Sequence, residues 1–262
     1  MFSKPLFKRV IRSNWKIWLL ITAVLCLYMT MCCAVFTPDA LGNMGSLMEN
    51  MGAMGNLFGS MASVIDFIGQ AFYGMIAVMF PMVYCIVVGN RLIAAQVDRG
   101  SMAYLLATPT KRRQVTVTSA VFMVVSLVLM YMIVFVCGIA VCAAAQPGEL
   151  DIPVFLRLNL GSFLLTFAIS AICFASSCIF NTSRNSLAVG AGLPLAFFLF
   201  SMMADLSEDL EFFRYVTINS LFDPEKVIKG EGYLIPFLVL AVIGAVLYGV
   251  GIKVFREKDL PL

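Results

Sequence analysis

The chain contains no histidine, and its long apolar runs carry no acidic or basic residue at their centres. The first absence removes the commonest zinc ligand. The second argues against a proton- or sodium-coupled carrier or a voltage sensor, because those need ionisable groups within the membrane. Also missing are the phosphate loop G-x-x-x-x-G-K-[ST], the metalloprotease helix H-E-x-x-H and a serine nucleophile elbow. Nothing here cradles a triphosphate, so any energy drawn from ATP must come from another chain. Cysteine is absent from the connections. All eight, Cys26, Cys32, Cys33, Cys85, Cys137, Cys142, Cys173 and Cys178, fall inside apolar runs and read as small packing residues. That reading is preferred over a disulfide between Cys32 or Cys33 and Cys142, which lie near the same ends of two runs.

What is present is hydrophobic. The chain is 61% hydrophobic and 13% charged, with a mean hydropathy of +0.95, far from the half apolar, quarter charged make-up of a soluble domain. Six charge-free segments approach or exceed the ~20 residues that cross a bilayer as a helix: Ile17 to Phe36, Phe67 to Asn90, Thr116 to Ala145, Leu158 to Phe180, Leu187 to Ala204 and Gly232 to Ile252. The expectation is an all-α membrane protein of six transmembrane helices. Five basic residues precede the first segment, and Cys32 to Phe36 lack a small-x-small cleavage pattern, so it reads as a retained span. Pro81 and Pro194 sit within the second and fifth spans and are expected to kink them.

Orientation follows from Lys and Arg. Lys4, Lys8, Arg9, Arg12, Lys16, Arg91, Arg99, Lys111, Arg112, Arg113, Arg184, Lys253, Arg256 and Lys258 fall on one side, and only Arg157, Arg214, Lys226 and Lys229 on the other. The positive-inside rule places both termini in the cytoplasm of a multi-pass plasma-membrane protein. The basic face suits anionic inner-leaflet lipid, and the net charge of +3 is no argument for nucleic acid.

Four segments outside the spans carry further information. Residues 1–16 set Leu6, Val10, Ile11 and Trp15 at helical spacing against Lys4, Lys8, Arg9 and Arg12, the pattern of an interfacial helix on the inner leaflet. Leu41 to Met61 aligns Met44, Met48, Met51, Met54, Phe58 and Met61 in one stripe. Thioethers are soft copper ligands, but no Cys or His supports such a site, and a pliable helix extending the second span is the better reading. Residues 205–231 form an external loop whose acidic run Glu208, Asp209 and Glu211 reads as a solvated face. Within that loop, Asp223 followed by Pro224 marks a helix start.

The fourth segment, residues 94–113, is the most informative. Val97 to Arg99 continue the second span, Gly100 can adopt the left-handed conformation that ends a helix, and Ser101 is placed to cap a new one. That helix runs from Met102 to Ala107, because Pro109 pushes Thr108 out of helical space, and Thr110 then caps the third span. Met102, Leu105 and Leu106 share a face flanked by Tyr104. So short a helix gains a reason to exist only by packing on a partner protein.

The run Ala95 to Arg112, AQVDRGSMAYLLATPTKR, resembles the acidic-x-x-x-Gly-Thr...Leu-Leu-x-x-Pro-x-x-Arg signature of permease subunits of type-2 ATP-binding-cassette exporters, with Gln96 where an acidic residue is common and Ser101 where threonine is common. The ending Phe255 to Leu260 is similar to that family's tail. The resemblance implies a bacterial permease that dimerises with a second permease subunit. A separately encoded cytoplasmic ATPase would bind ATP and magnesium, and this chain itself would bind no cofactor. It also implies a cytoplasmic coupling helix seated on that ATPase, with Asp98, Arg99, Gly100, Ser101, Met102, Tyr104, Leu105, Leu106, Pro109, Arg112 and Arg113 as the coupling residues. Arg112 and Arg113 would anchor lipid headgroups or acidic ATPase residues. Cargo across the family includes amphipathic antibiotics, antimicrobial peptides and lipids. The alternatives are a non-transporting assembly or immunity factor that recruits an ATPase and, with no acid–base constellation to support it, a membrane-embedded enzyme.

Overall fold

The computed structural model describes residues 3–35, 64–102, 111–145, 150–204, 212 and 217–258. Among them every regular element is helical: α1 (Lys4–Val35), α2 (Val64–Phe67), a π-helical segment (Ile68–Ile76), α3 (Ala77–Leu92), α4 (Ala94–Asp98), α5 (Arg112–Ala145), α6 (Ile152–Ile179), α7 (Ser183–Ala204), a 3-10 turn (Asn219–Leu221), α8 (Pro224–Lys229) and α9 (Leu234–Glu257). Six stretches are long and apolar enough to span a membrane, the second of them running from Ile65 to Asp98. Each expected span is found, and charged ends extend most of them beyond the charge-free run.

The first sixteen residues do not make a separate interfacial helix. From Lys4 they are the opening turns of α1, which runs 32 residues without interruption. Pro5 falls in the first turn, where a missing N–H costs nothing, and no glycine or proline follows before Val35. The apolar stripe divides, with Leu6 and Val10 buried and Ile11 and Trp15 exposed, while contacts to α5 come from Phe7, which meets Phe122 edge-on, and from the Ser3 N–H, which donates to Thr118 Oγ1 at 3.3 Å. The Leu41–Met61 stripe and the acidic run Glu208 to Glu211 lie outside the described residues.

Alternate spans align in parallel, as an up-and-down bundle requires. Trp18 Nε1 donates to Ser126 O at 2.8 Å, and Cys142 Sγ meets Cys33 Sγ further along the same pair of helices. Asn159 Nδ2 donates to the Tyr73 hydroxyl, and Ala94 N–H to Ser177 Oγ near the far ends of their spans. On α9, Gly244 lies against Phe167 and Gly251 against Phe174 and the Ala175 backbone. Those small residues let α9 approach α6 closely. α6 is the hub, with buried residues recurring from Phe155 to Cys178 and α3, α5, α7 and α9 around it. It starts as the sequence dictates, with Asp151 accepting from the Val154 N–H and Pro153 in the first turn.

Both internal prolines free a carbonyl, and α5 or α6 answers each. Pro81 has no N–H for the Ala77 carbonyl four residues earlier. Tyr131 OH donates to that oxygen at 2.7 Å and Ser162 Oγ at 3.4 Å, with Thr166 Oγ1 2.7 Å from the same tyrosine oxygen. Pro194 likewise leaves the carbonyl of Gly190, and Cys173 Sγ donates to it at 3.0 Å. Between α7 and α9, Asp223 caps α8 ahead of Pro224, as the sequence pattern anticipates, and Gly230 ends it at φ +75°.

Candidate functional site

Most of the basic residues gather at one end of the bundle, where α1 begins, α9 ends and the α4–α5 connection crosses between spans. The second span does not run into this connection as one helix. It breaks at Ile93 (φ −133°, ψ −66°) and resumes as α4. The broken ladder leaves three backbone groups in need of partners. Ser177 Oγ, from the last turn of α6, accepts from the Ala94 N–H at 2.8 Å. Gln96 Nε2 donates to Leu92 O at 3.0 Å and Arg91 O at 3.4 Å. A glutamate at 96 is acceptor-only when ionised and could not do this. Gln96 here works as a donor that closes the break.

α4 then stops where the sequence says it should. Gly100 has φ +68°, with nothing within 4 Å of where a Cβ would stand, so glycine is required there for backbone conformation and not for space. Its N–H donates to Val97 O at 3.0 Å. Ser101 does not wait outside a new helix as its cap: its hydroxyl donates back to Gln96 O at 3.1 Å, tying the turn onto α4. Asp98 and Arg99 are exposed. Met102, read from the sequence as part of a partner-facing surface, is fully buried in the core of this chain and anchors the turn from below. Tyr104, Leu105, Leu106 and Pro109 lie outside the described residues.

On the return side α5 begins at Arg112. Gln114 Oε1 accepts from the Lys111 N–H at 3.0 Å, the reciprocal half of a capping box, while Thr110 lies outside the described residues. The two arginines separate in role. Arg112 Nη1 donates to Lys258 O at 2.7 Å, holding the C-terminal segment against α5, whereas Arg113 is exposed. Lys258 in turn donates through Nζ to the Cys178 and Ile179 carbonyls at the end of α6, where a cation also complements the helix dipole. Its amine is held below the usual lysine range by desolvation, with Cys178 acting in the opposite direction. Asn90 Nδ2 donates to Ser183 Oγ at 2.7 Å and joins α3 to the start of α7.

The turn at Gly100 is therefore tied to the ends of α3 and α6, and the ends of α5, α6 and α9 are clamped beside it. Ser177 is the member a sequence reading passes over, because one hydroxyl near a span end looks like polar filler, while Gln96 and Lys258, visible as a departure from the signature and as one of the basic residues, show their roles only once their partners are known. Compared with known proteins, residues 7–260 match the family model described as ABC-2 family transporter protein. No curated protein matches the chain.

Proposed function

The chain belongs to the ABC-2 transporter family, whose membrane subunits lack an ATPase site of their own, and from that premise we propose that it is the permease of an exporter driven by a separate cytoplasmic ATPase. The ATPase would hold ATP and magnesium and dock on the connection around residues 103–110. A second permease subunit would complete the translocation path. The apolar spans favour a hydrophobic or amphipathic cargo.

One observation carries this reading: the segment entering the connection is fastened to the bundle's hub. Ser177 holds the first amide of α4, and Met102 is sunk in the core. A displacement of the connection by the ATPase thus passes into α6, and from α6 into α3 and α9, which run parallel to it. The break at Ile93 lets α4 tilt without bending α3. Asp98, Arg99, Gly100 and Ser101 shape the lever, while Tyr104, Leu105 and Leu106 supply its contact.

Burying one leucine contributes about 1.5–3 kcal/mol, and a carboxylate in its place adds a desolvation cost. Leu105→Asp and Leu106→Asp should therefore insert normally and lose the ATPase in pull-downs at matched membrane abundance. Arg113→Ala should be milder, since an exposed pair is worth under about 1 kcal/mol. Wild-type ATPase retention and turnover in both aspartate variants would remove the lever from this connection. ATP-dependent cargo movement in vesicles separates a transporter from an assembly or immunity factor that uses the same contact.

A further inference from the structure

A cavity of about 370 Å³ opens between the start of α1 and the end of the second span. Arg9 reaches it from α1, Arg91 from the last turn of α3, and Arg99 from the residue that closes α4. No ion pair involves these three guanidinium groups among the described residues. Cations gathered around one void repel each other, and an anion placed between them removes that cost. Asn14 also lines the cavity and is only 3% exposed, but its Nδ2 is already committed to Val10 O at 3.0 Å, so the arginines supply the donors to an anion. The remaining wall is mixed, with Leu6, Val10, Leu92 and Ala95 beside Ser13, Gln96 and Ser101.

Depth identifies the kind of anion. The charge-free run of α1 starts at Ile17, and Asn14 and Ser13 precede it by three and four residues, about 4.5–6 Å at 1.5 Å rise per residue. The headgroup layer on each side of the hydrocarbon is about 5–7 Å thick. Arg91 likewise follows directly on the charge-free part of the second span. By the same rise Arg9 starts about 12 Å before Ile17, so the cavity reaches from the headgroup level outward, with cationic forks suited to two-point contact with phosphate oxygens and Leu6, Val10, Leu92 and Ala95 in its wall.

We infer that this cavity binds the phosphodiester headgroup of an anionic inner-leaflet lipid, with Arg9, Arg91 and Arg99 on the phosphate. Arg91 and Arg99 stand on either side of the Ile93 break, so a phosphate held by both fixes the angle between α3 and α4. Arg9 fastens that hinge to α1. Lipid occupancy thereby sets the stiffness of the lever. This regulatory consequence rests on the proposed coupling role, whereas the binding site does not and is tested on the chain alone.

The test is native mass spectrometry of the delipidated full chain in detergent, titrated separately with phosphatidylglycerol, phosphatidylcholine and inorganic phosphate. One phosphatidylglycerol per chain should be retained at about a tenth of the concentration needed for phosphatidylcholine, as expected when a net anionic headgroup meets several cations. Arg91→Gln and Arg99→Gln should each raise its half-saturating concentration about threefold or more, the effect of losing one partly screened ion pair. Arg184→Gln and Lys253→Gln, exposed basic residues at the same end but off the cavity, should leave it within about twofold. Equal retention of the two lipids, or equal losses in the Arg184 and Lys253 variants, overturns the proposal. Saturation by inorganic phosphate with no phosphatidylglycerol retained assigns the site to a free anion and also overturns it. If the Arg91 and Arg99 variants keep the lipid but lose the ATPase in pull-downs, the cavity receives a carboxylate of that partner, and the lipid assignment is wrong.

Discussion

Ala77 and Gly190 each lie four residues before a proline, and each carbonyl is met by a side chain of another helix, Tyr131 in one case and Cys173 in the other. The pairing makes a prediction that a general loss of packing would not reproduce. Tyr131→Phe should lower stability by about 0.6–1.7 kcal/mol, the range measured for hydrogen bonds between membrane helices. In a Pro81→Ala background the helix regains its own N–H, and the tyrosine hydroxyl should matter less. A double-mutant cycle on reversible unfolding in detergent reads the coupling, and an identical Tyr131→Phe penalty in both backgrounds would refute the assignment. The sequence displays both prolines and hence both kinks. It does not display their partners, because Tyr131 stands 54 positions from Ala77, and a cysteine or tyrosine in an apolar run looks like ordinary packing. Gly100 was legible for the opposite reason: its left-handed conformation is a local requirement, written in the residue itself.

Elements divide along the same line. Charge-free runs disclosed all six spans, and Asp223 with Pro224 disclosed the start of α8, because hydropathy and capping act over one helix or one turn. The π-helical segment over Ile68–Ile76 and the break at Ile93 were not legible, since each depends on contacts with α6: Asn159 on Tyr73 and Ser177 on Ala94. The break supplies a pH-dependent test. Gln96→Glu sets a carboxylate against the Leu92 and Arg91 carbonyls and should cost about 1–3 kcal/mol at neutral pH. Those carbonyls raise the folded-state pKa of the new carboxyl, because only its protonated form can donate. Protons thus bind the folded state more tightly, and the penalty should shrink in acid and grow as pH rises. A variant whose stability tracks wild type between pH 5 and 8 would show that the side chain does not bond those carbonyls. The α6–α9 contact gives a steric test. A Cβ at Gly251 would stand 3.3 Å from the Ala175 Cα, whereas one at Gly249 meets nothing within 4 Å. Gly251→Val should lose about 1–3 kcal/mol of stability and Gly249→Val almost none. Equal melting temperatures for the two variants would place the close approach elsewhere.

For the whole molecule, the alternating direction of the spans puts Arg184 and Glu231 at opposite ends of the bundle, both exposed. With native cysteines replaced, Glu231→Cys should react with an impermeant maleimide in intact cells, and Arg184→Cys only after lysis. The reverse labelling would invert the orientation drawn from the basic residues. Hydropathy and charge thus fixed the number of spans and their expected direction, but not which span lies at the centre. α6 became the hub through Asn159, Ser162, Thr166, Cys173 and Ser177, whose partners are all on other helices. That arrangement has a consequence for biogenesis. A growing chain releases the second span before the helices that carry Tyr131 and Ser162, so the Ala77 carbonyl enters the membrane with neither of its donors yet made. The fifth span finds Cys173 already in place when Pro194 arrives. A nascent chain halted before Ile152 therefore keeps a half-answered bend in its second span, with the Tyr131 hydroxyl made and the Ser162 hydroxyl still missing.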